Sequence, residues 1–224
     1  MRVGARGPGA AGRLKGRCYD APDARMTSAD DRAATFLQAI TYLRIALTPV
    51  VMALIWVGDR VSWATPAAAT LFAIAAITDY IDGRLARRWK QTTTLGNFLD
   101  TTADKLLVSG VLVSLVAVGR CSMWVAFIII GRELLVMGLR GAVTAGDGTV
   151  IRPSIWGKLK ANVQFLAIFL AIWRPDVMVG DWYLDQVVMA IAAVITVASA
   201  VEYFARYGGA LAGSARRERS ARER

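Results

Sequence analysis

The chain has 224 residues, is 55% apolar, carries a formal charge of +10 and contains no histidine. A soluble domain of this length is rarely so apolar, so the composition points to one membrane domain whose charge lies outside the lipid. The lack of histidine excludes Ser-His-Asp hydrolysis, histidine bases and histidine metal ligands.

Two cysteines, Cys18 and Cys121, make neither a disulfide framework nor a zinc spacing. Any metal would therefore be a hard ion held by carboxylate oxygens. Residues 1–25 are rich in Gly, Ala, Pro and Arg and lack the apolar core of a signal peptide. They read as a disordered basic tail, and Met26 is a candidate translation start. The membrane domain is expected over residues 26–207. Residues 208–224 form a second basic tail, expected to be disordered or to lie on lipid headgroups.

Six apolar stretches follow in order: Thr35–Val57, Val61–Thr78, Asn97–Val118, Met123–Val143, Ile155–Trp173 and Tyr183–Ala205. Each is near the ~20 residues that cross a bilayer as a helix. Period-two alternation is absent, which favours helices over a barrel. The expected fold is all-α and integral to the membrane, with six transmembrane helices. Basic residues concentrate in both tails and in the segments 84–90 and 152–160, so the positive-inside rule puts both termini in the cytoplasm. This charge flanks spans and has no soluble fold to present it, so nucleic acid is not an expected partner. Tryptophans near span ends read as interface belts.

The second and third stretches carry the chemistry. Asp79, Asp82, Gly83, Ala86 and Arg87 fall at offsets 0, 3, 4, 7 and 8, one helical stripe. Gly96, Asp100 and Asp104 fall at offsets 0, 4 and 8, a second stripe. A short connection predicts antiparallel neighbouring helices with the stripes facing each other. Four carboxylates so placed repel unless cations sit among them. Arg87 and Lys105 supply some positive charge, and divalent ions would supply more. The bland alternative, that these aspartates only end their helices at the interface, does not explain four on two stripes with small residues between.

The segment reads D-x2-D-G-x2-A-R-x8-G-x3-D-x3-D and resembles the signature of the CDP-alcohol phosphatidyltransferase family. The resemblance spans roughly residues 35–205. It implies a six-helix membrane domain with a polar active-site cavity open to the cytoplasm. It also implies a divalent cofactor, two Mg²⁺ or Mn²⁺ ions, held by Asp79, Asp82, Asp100 and Asp104. Asp104 would double as the catalytic base. Gly83, Arg87 and Gly96, with Asp82, would contact the CDP moiety of CDP-diacylglycerol. A homodimer in the plasma membrane, among its lipids, is the implied setting.

Arg132-Glu133 with Leu139-Arg140 in the fourth stretch, and Val150-Ile151 through Gly157-Lys158, Lys160 and Gln164, resemble runs of bacterial phosphatidylglycerophosphate synthases, as does Thr41-Tyr42-Leu43-Arg44-Ile45. The implied acceptor is sn-glycerol 3-phosphate, its phosphate bound by Arg44, Arg132, Arg140, Lys158 and Lys160. Arg44, Arg132 and Arg140 interrupt apolar runs, which favours a functional role; Lys158 and Lys160 equally suit interface anchors. Two departures stand out: Gln38 where these enzymes carry Asn, and Thr101-Thr102 where they carry Pro followed by a β-branched residue. Rival readings are another acceptor within the family, as in cardiolipin or phosphatidylinositol phosphate synthesis, and a transporter or cation channel. One-sided clustering of the aspartates and the lack of broken helices argue against transport.

Overall fold

A computed structural model describes the backbone of residues 28–89, 94–147 and 155–222 and the side chains of residues 38–79, 98–141 and 159–205. The protein is all-helical apart from one small hairpin. Its helices are α1 (Ser28–Val57), α2 (Ala64–Trp89), α3 (Thr94–Ala117), α4 (Met123–Asp147), α5 (Ile155–Trp173) and α6 (Leu184–Arg222). Strands β1 (Met178–Val179) and β2 (Trp182–Tyr183) pair antiparallel between α5 and α6. The N-terminal tail lies outside the described residues.

Each expected apolar stretch falls within or overlaps one helix, and α5 has the bounds expected of it. Among the described residues two helices, over Gln38–Val57 and Leu184–Ala205, are by themselves long and apolar enough to cross a membrane. The segment after Gly208, expected to be disordered or to lie on headgroups, continues α6 to Arg222. Ala and Arg dominate it, and both are strong helix formers. The hairpin was not foreseen, because two-residue strands leave no readable alternation.

Turn chemistry closes the helices. Gly119 has φ +70°, the left-handed cap that ends α3, and Arg120 N–H bonds back to Leu115 C=O at 2.8 Å. On the same end of the bundle the Arg120 guanidinium donates to Asp59 Oδ1 at 2.6 Å and to Ile172 C=O at 3.1 Å. One side chain thus ties the α1–α2 turn to the last turn of α5.

The helices close into a ring among the described residues: α1 packs on α2, α2 on α5, α5 on α6, α6 on α4, α4 on α3, and α3 back on α1, with α3 and α5 also touching. Close approach of α1 and α3 depends on Gly110. A Cβ there would lie 2.9 Å from Met52 Sδ and 3.0 Å from Thr48 Cγ2. Phe72 of α2 meets Phe165 of α5 with centroids 5.9 Å apart.

Buried residues differ in character along the bundle. Val51, Ile55, Ala68, Phe72, Leu112, Leu115, Ile129, Ile168 and Ile172 form an apolar core toward one end of the bundle. Toward the other end the buried residues are polar: Arg44, Glu133, Lys160, Gln164 and Ser199. Outward faces carry large exposed apolar side chains such as Trp56, Phe127 and Val194. In water such a surface would be an aggregation liability; in a bilayer it is solvated.

Candidate active site

The polar end holds two charge clusters. Arg44 lies near the middle of α1 and is only 2% exposed. A buried guanidinium needs anions, and it finds them on two other helices. Its Nη1 is 2.7 Å from Asp79 Oδ1 of α2 and 3.1 Å from Asp100 Oδ1 of α3. Thr48, one turn further on, donates its hydroxyl to Arg44 C=O at 3.0 Å; this is the turn in which Pro49 offers no backbone donor. The Nε and Nη2 groups of Arg44 are buried and have no hydrogen-bond partner.

Arg44 brings together carboxylates of the two helices expected to face each other: among the described residues α1 packs against both α2 and α3, and Asp79 and Asp100 meet on the one Arg44 Nη1. Like charges on facing stripes repel, and an interposed cation relieves that repulsion.

The second cluster centres on Glu133 of α4, 7% exposed. Lys105 Nζ of α3 lies 2.9 Å from Glu133 Oε2, and Lys160 of α5 pairs with Glu133 Oε1. Arg132 Nη1 is 3.9 Å from the same carboxylate. Lys105 also bonds Asp104 Oδ2 at 2.6 Å. Asp104, Lys105, Glu133 and Lys160 thus make a continuous chain of charge pairs across three helices. Gln164, one turn beyond Lys160, is 4% exposed and its Oε1 has no partner.

The remaining expected residues divide in two. Arg132 Nη2 reaches across to Ser199 Oγ of α6 at 2.7 Å, with its Nε buried and unpartnered. Arg140 stacks its guanidinium over the Tyr203 ring at 5.7 Å. Both α4 arginines therefore also serve the α4–α6 contact, and Ser199 and Tyr203 were not foreseen. A serine or tyrosine inside an apolar helix gives no sequence signal beyond packing. Gly83, Arg87, Gly96, Lys158 and the Asp82 side chain lie outside the residues whose side chains are described.

Oxygen-only donors converging on one positive nitrogen suit a hard divalent ion, and Asp79 and Asp100 already share a cation in Arg44. Asp100, Asp104 and Lys105 lie within electrostatic reach of Asp79. Among the described residues no three carboxylates close into a metal-sized group; the fourth expected carboxylate, Asp82, is not among them.

Known proteins resemble this chain over most of its length. Residues 35–198 match the family model described as CDP-alcohol phosphatidyltransferase. The chain is 39% identical over 184 residues to the CDP-diacylglycerol–glycerol-3-phosphate 3-phosphatidyltransferase of Bacillus subtilis (strain 168), covering 77% of this chain and 94% of that protein. It is 38% identical over 168 residues to the protein of that name from Pectobacterium atrosepticum, covering 73% and 90%. The Escherichia coli (strain K12) protein of that name is 37% identical over the same length and shares.

Proposed function

The chain belongs to the CDP-alcohol phosphatidyltransferase family, and from that premise we propose that it transfers the phosphatidyl group of CDP-diacylglycerol to sn-glycerol 3-phosphate, releasing CMP and phosphatidylglycerol phosphate. The observation that carries the choice of acceptor is the pair of clusters. A reaction between a diphosphate and a second phosphate needs an acid-rich region for metal and a cation-rich region for the acceptor. Arg44 with Asp79 and Asp100 supplies the first, and Lys105, Arg132 and Lys160 around Glu133 supply the second. A cardiolipin synthase, whose acceptor carries a phosphodiester monoanion in place of a phosphate dianion, has less use for so many cations in one buried place.

In this reading Asp79, Asp82, Asp100 and Asp104 would hold two Mg²⁺ or Mn²⁺ ions, which when bound neutralise the diphosphate and stabilise the departing CMP. The chain's own groups do the rest. Gly83 and Gly96 leave room for the CDP moiety and Arg87 pairs with its phosphates. Lys105 fixes one oxygen of Asp104, leaving the other to accept the proton of the acceptor hydroxyl. The hydroxyl oxygen forms a bond to the phosphorus bearing diacylglycerol as the bond from that phosphorus to the CMP oxygen breaks. The electron pair leaves with CMP. Arg132, Arg140, Lys158 and Lys160 hold the acceptor's phosphate, and the unpartnered Nε and Nη2 of Arg44 offer two further donors where the two substrates meet.

The same reading places six spans in the plasma membrane with both termini and the site facing the cytoplasm, the side from which glycerol 3-phosphate arrives, and takes the enzyme as a homodimer of domains spanning residues 26–207. The test is CMP release by purified protein supplied with CDP-diacylglycerol and, in parallel, glycerol 3-phosphate, phosphatidylglycerol or inositol phosphate. Release is expected with glycerol 3-phosphate and to stop on chelation of divalent ions. Equal release with another acceptor overturns the assignment.

A further inference from the structure

The geometry points to Glu133 as a positioning residue that holds Lys160 and Lys105 in place for the acceptor's phosphate. The inference rests on the acceptor reading above and adds a role for a carboxylate that would otherwise be only an ion-pair partner.

Three features carry it. First, Lys160 is 3% exposed. An ammonium so buried is unfavourable without an anion beside it, and Glu133 is the carboxylate that contacts it. Second, the hydrogen-bond arithmetic leaves capacity. An ammonium has three donors. Lys160 is bonded to Glu133, and Lys105 to Glu133 and Asp104, so both keep N–H groups for a phosphate oxygen. Third, the charge balance around Glu133 stays positive. Lys105, Lys160 and Arg132 surround Glu133 and Asp104, three cations against two anions. A phosphate dianion entering this cluster finds net positive charge, pinned in position by Glu133. Because Glu133 reaches α3, α4 and α5 together, it also sets the distance between the phosphate-binding cations and Asp104, and hence between the acceptor's phosphate and its reacting hydroxyl.

The role separates from plain support of the fold by which kinetic constant moves. E133Q keeps shape and one acceptor oxygen but removes the charge. It is expected to raise KM for glycerol 3-phosphate about tenfold, the size of one lost charge-assisted hydrogen bond. KM for CDP-diacylglycerol should not change. E133D keeps the charge on a shorter stem, serves as the second variant should E133Q fail to fold, and is expected to give a KM between those of E133Q and the unsubstituted enzyme. E133Q added to K160M should raise KM little further, because both act through one ammonium. A fall in kcat in E133Q and E133D with KM for glycerol 3-phosphate unchanged, or a KM shift equal for both substrates, overturns the inference and leaves the acceptor reading standing. Failure of the unsubstituted enzyme to release CMP with glycerol 3-phosphate overturns both.

Discussion

Around Arg44 one buried cation sits among carboxylates from two helices; around Glu133 one buried carboxylate sits among cations from three helix positions. The two regions lie at the same end of the bundle and are opposite in charge. Each central residue carries the sign of the ligand its surroundings suit. Aspartates that would take metal ions are gathered by an arginine, and basic residues that would take a phosphate are gathered by a glutamate. A site built of like charges must be held together before its ligand arrives, and one internal counter-ion in each cluster does this. Asp104 and Lys105 join the two.

Breaking the link should have the largest effect. Asp104→Asn removes the base and is expected to lower kcat by about 10³-fold, with the protein still folded by circular dichroism; retained turnover would remove Asp104 from the chemistry. Next, Lys160→Met on the cation-rich side should raise KM for glycerol 3-phosphate by roughly tenfold or more and spare KM for CDP-diacylglycerol. On the acid-rich side, Arg44→Met leaves Asp79 and Asp100 without their shared cation. Stability without divalent ions should fall by about 2 kcal/mol, below the full value for a buried pair because Asp100 is 47% exposed. Added Mg²⁺ should recover part of the lost Tm in this variant, and a Tm loss indifferent to Mg²⁺ would break the parallel between guanidinium and metal. Gly110→Ala tests the packing that brings Arg44 to Asp100. Its Cβ meets Met52 and Thr48 at 2.9 and 3.0 Å, so a loss of about 1 kcal/mol is expected in thermal unfolding. Smallest is Asp59→Asn at the opposite end. It weakens an ion pair with Arg120 in which Asp59 is 62% exposed, and both KM values should stay unchanged.

The two clusters were unequally legible in the sequence. The helices were readable because apolar length near that of a bilayer is a strong pattern, and the aspartate spacing was readable because a stripe of period 3.6 lies within one helix. Arg44 was visible as a charge inside an apolar run, but not its partners. Which helix packs beside two others is a property of bundle packing, and no local period reports it; hence the contact of α1 with both Asp79 and Asp100 through Arg44 was not legible. Glu133 was visible only as a neighbour of Arg132. Its contacts with Lys105 and Lys160 join residues 28 and 27 positions away in the chain; Lys160 also reads as an ordinary interface lysine, and Lys105 as a cation for the aspartates. Ser199 and Tyr203, which receive Arg132 and Arg140, carry no mark that distinguishes them from packing residues. The helical continuation of α6 beyond Gly208 was not legible because basic charge is as common in disordered tails and on headgroups as in helices.

The division of labour between the two regions is tested most directly by comparing glycerol 3-phosphate with glycerol as acceptor, in the unsubstituted enzyme and in Lys160→Met, by kcat/KM for CMP release. The unsubstituted enzyme should prefer glycerol 3-phosphate strongly, and the substitution should reduce that preference by about tenfold while leaving the slow rate with glycerol unchanged. An equal loss with both acceptors would contradict a phosphate-binding role for the Glu133 cluster and return Lys160 to the scaffold.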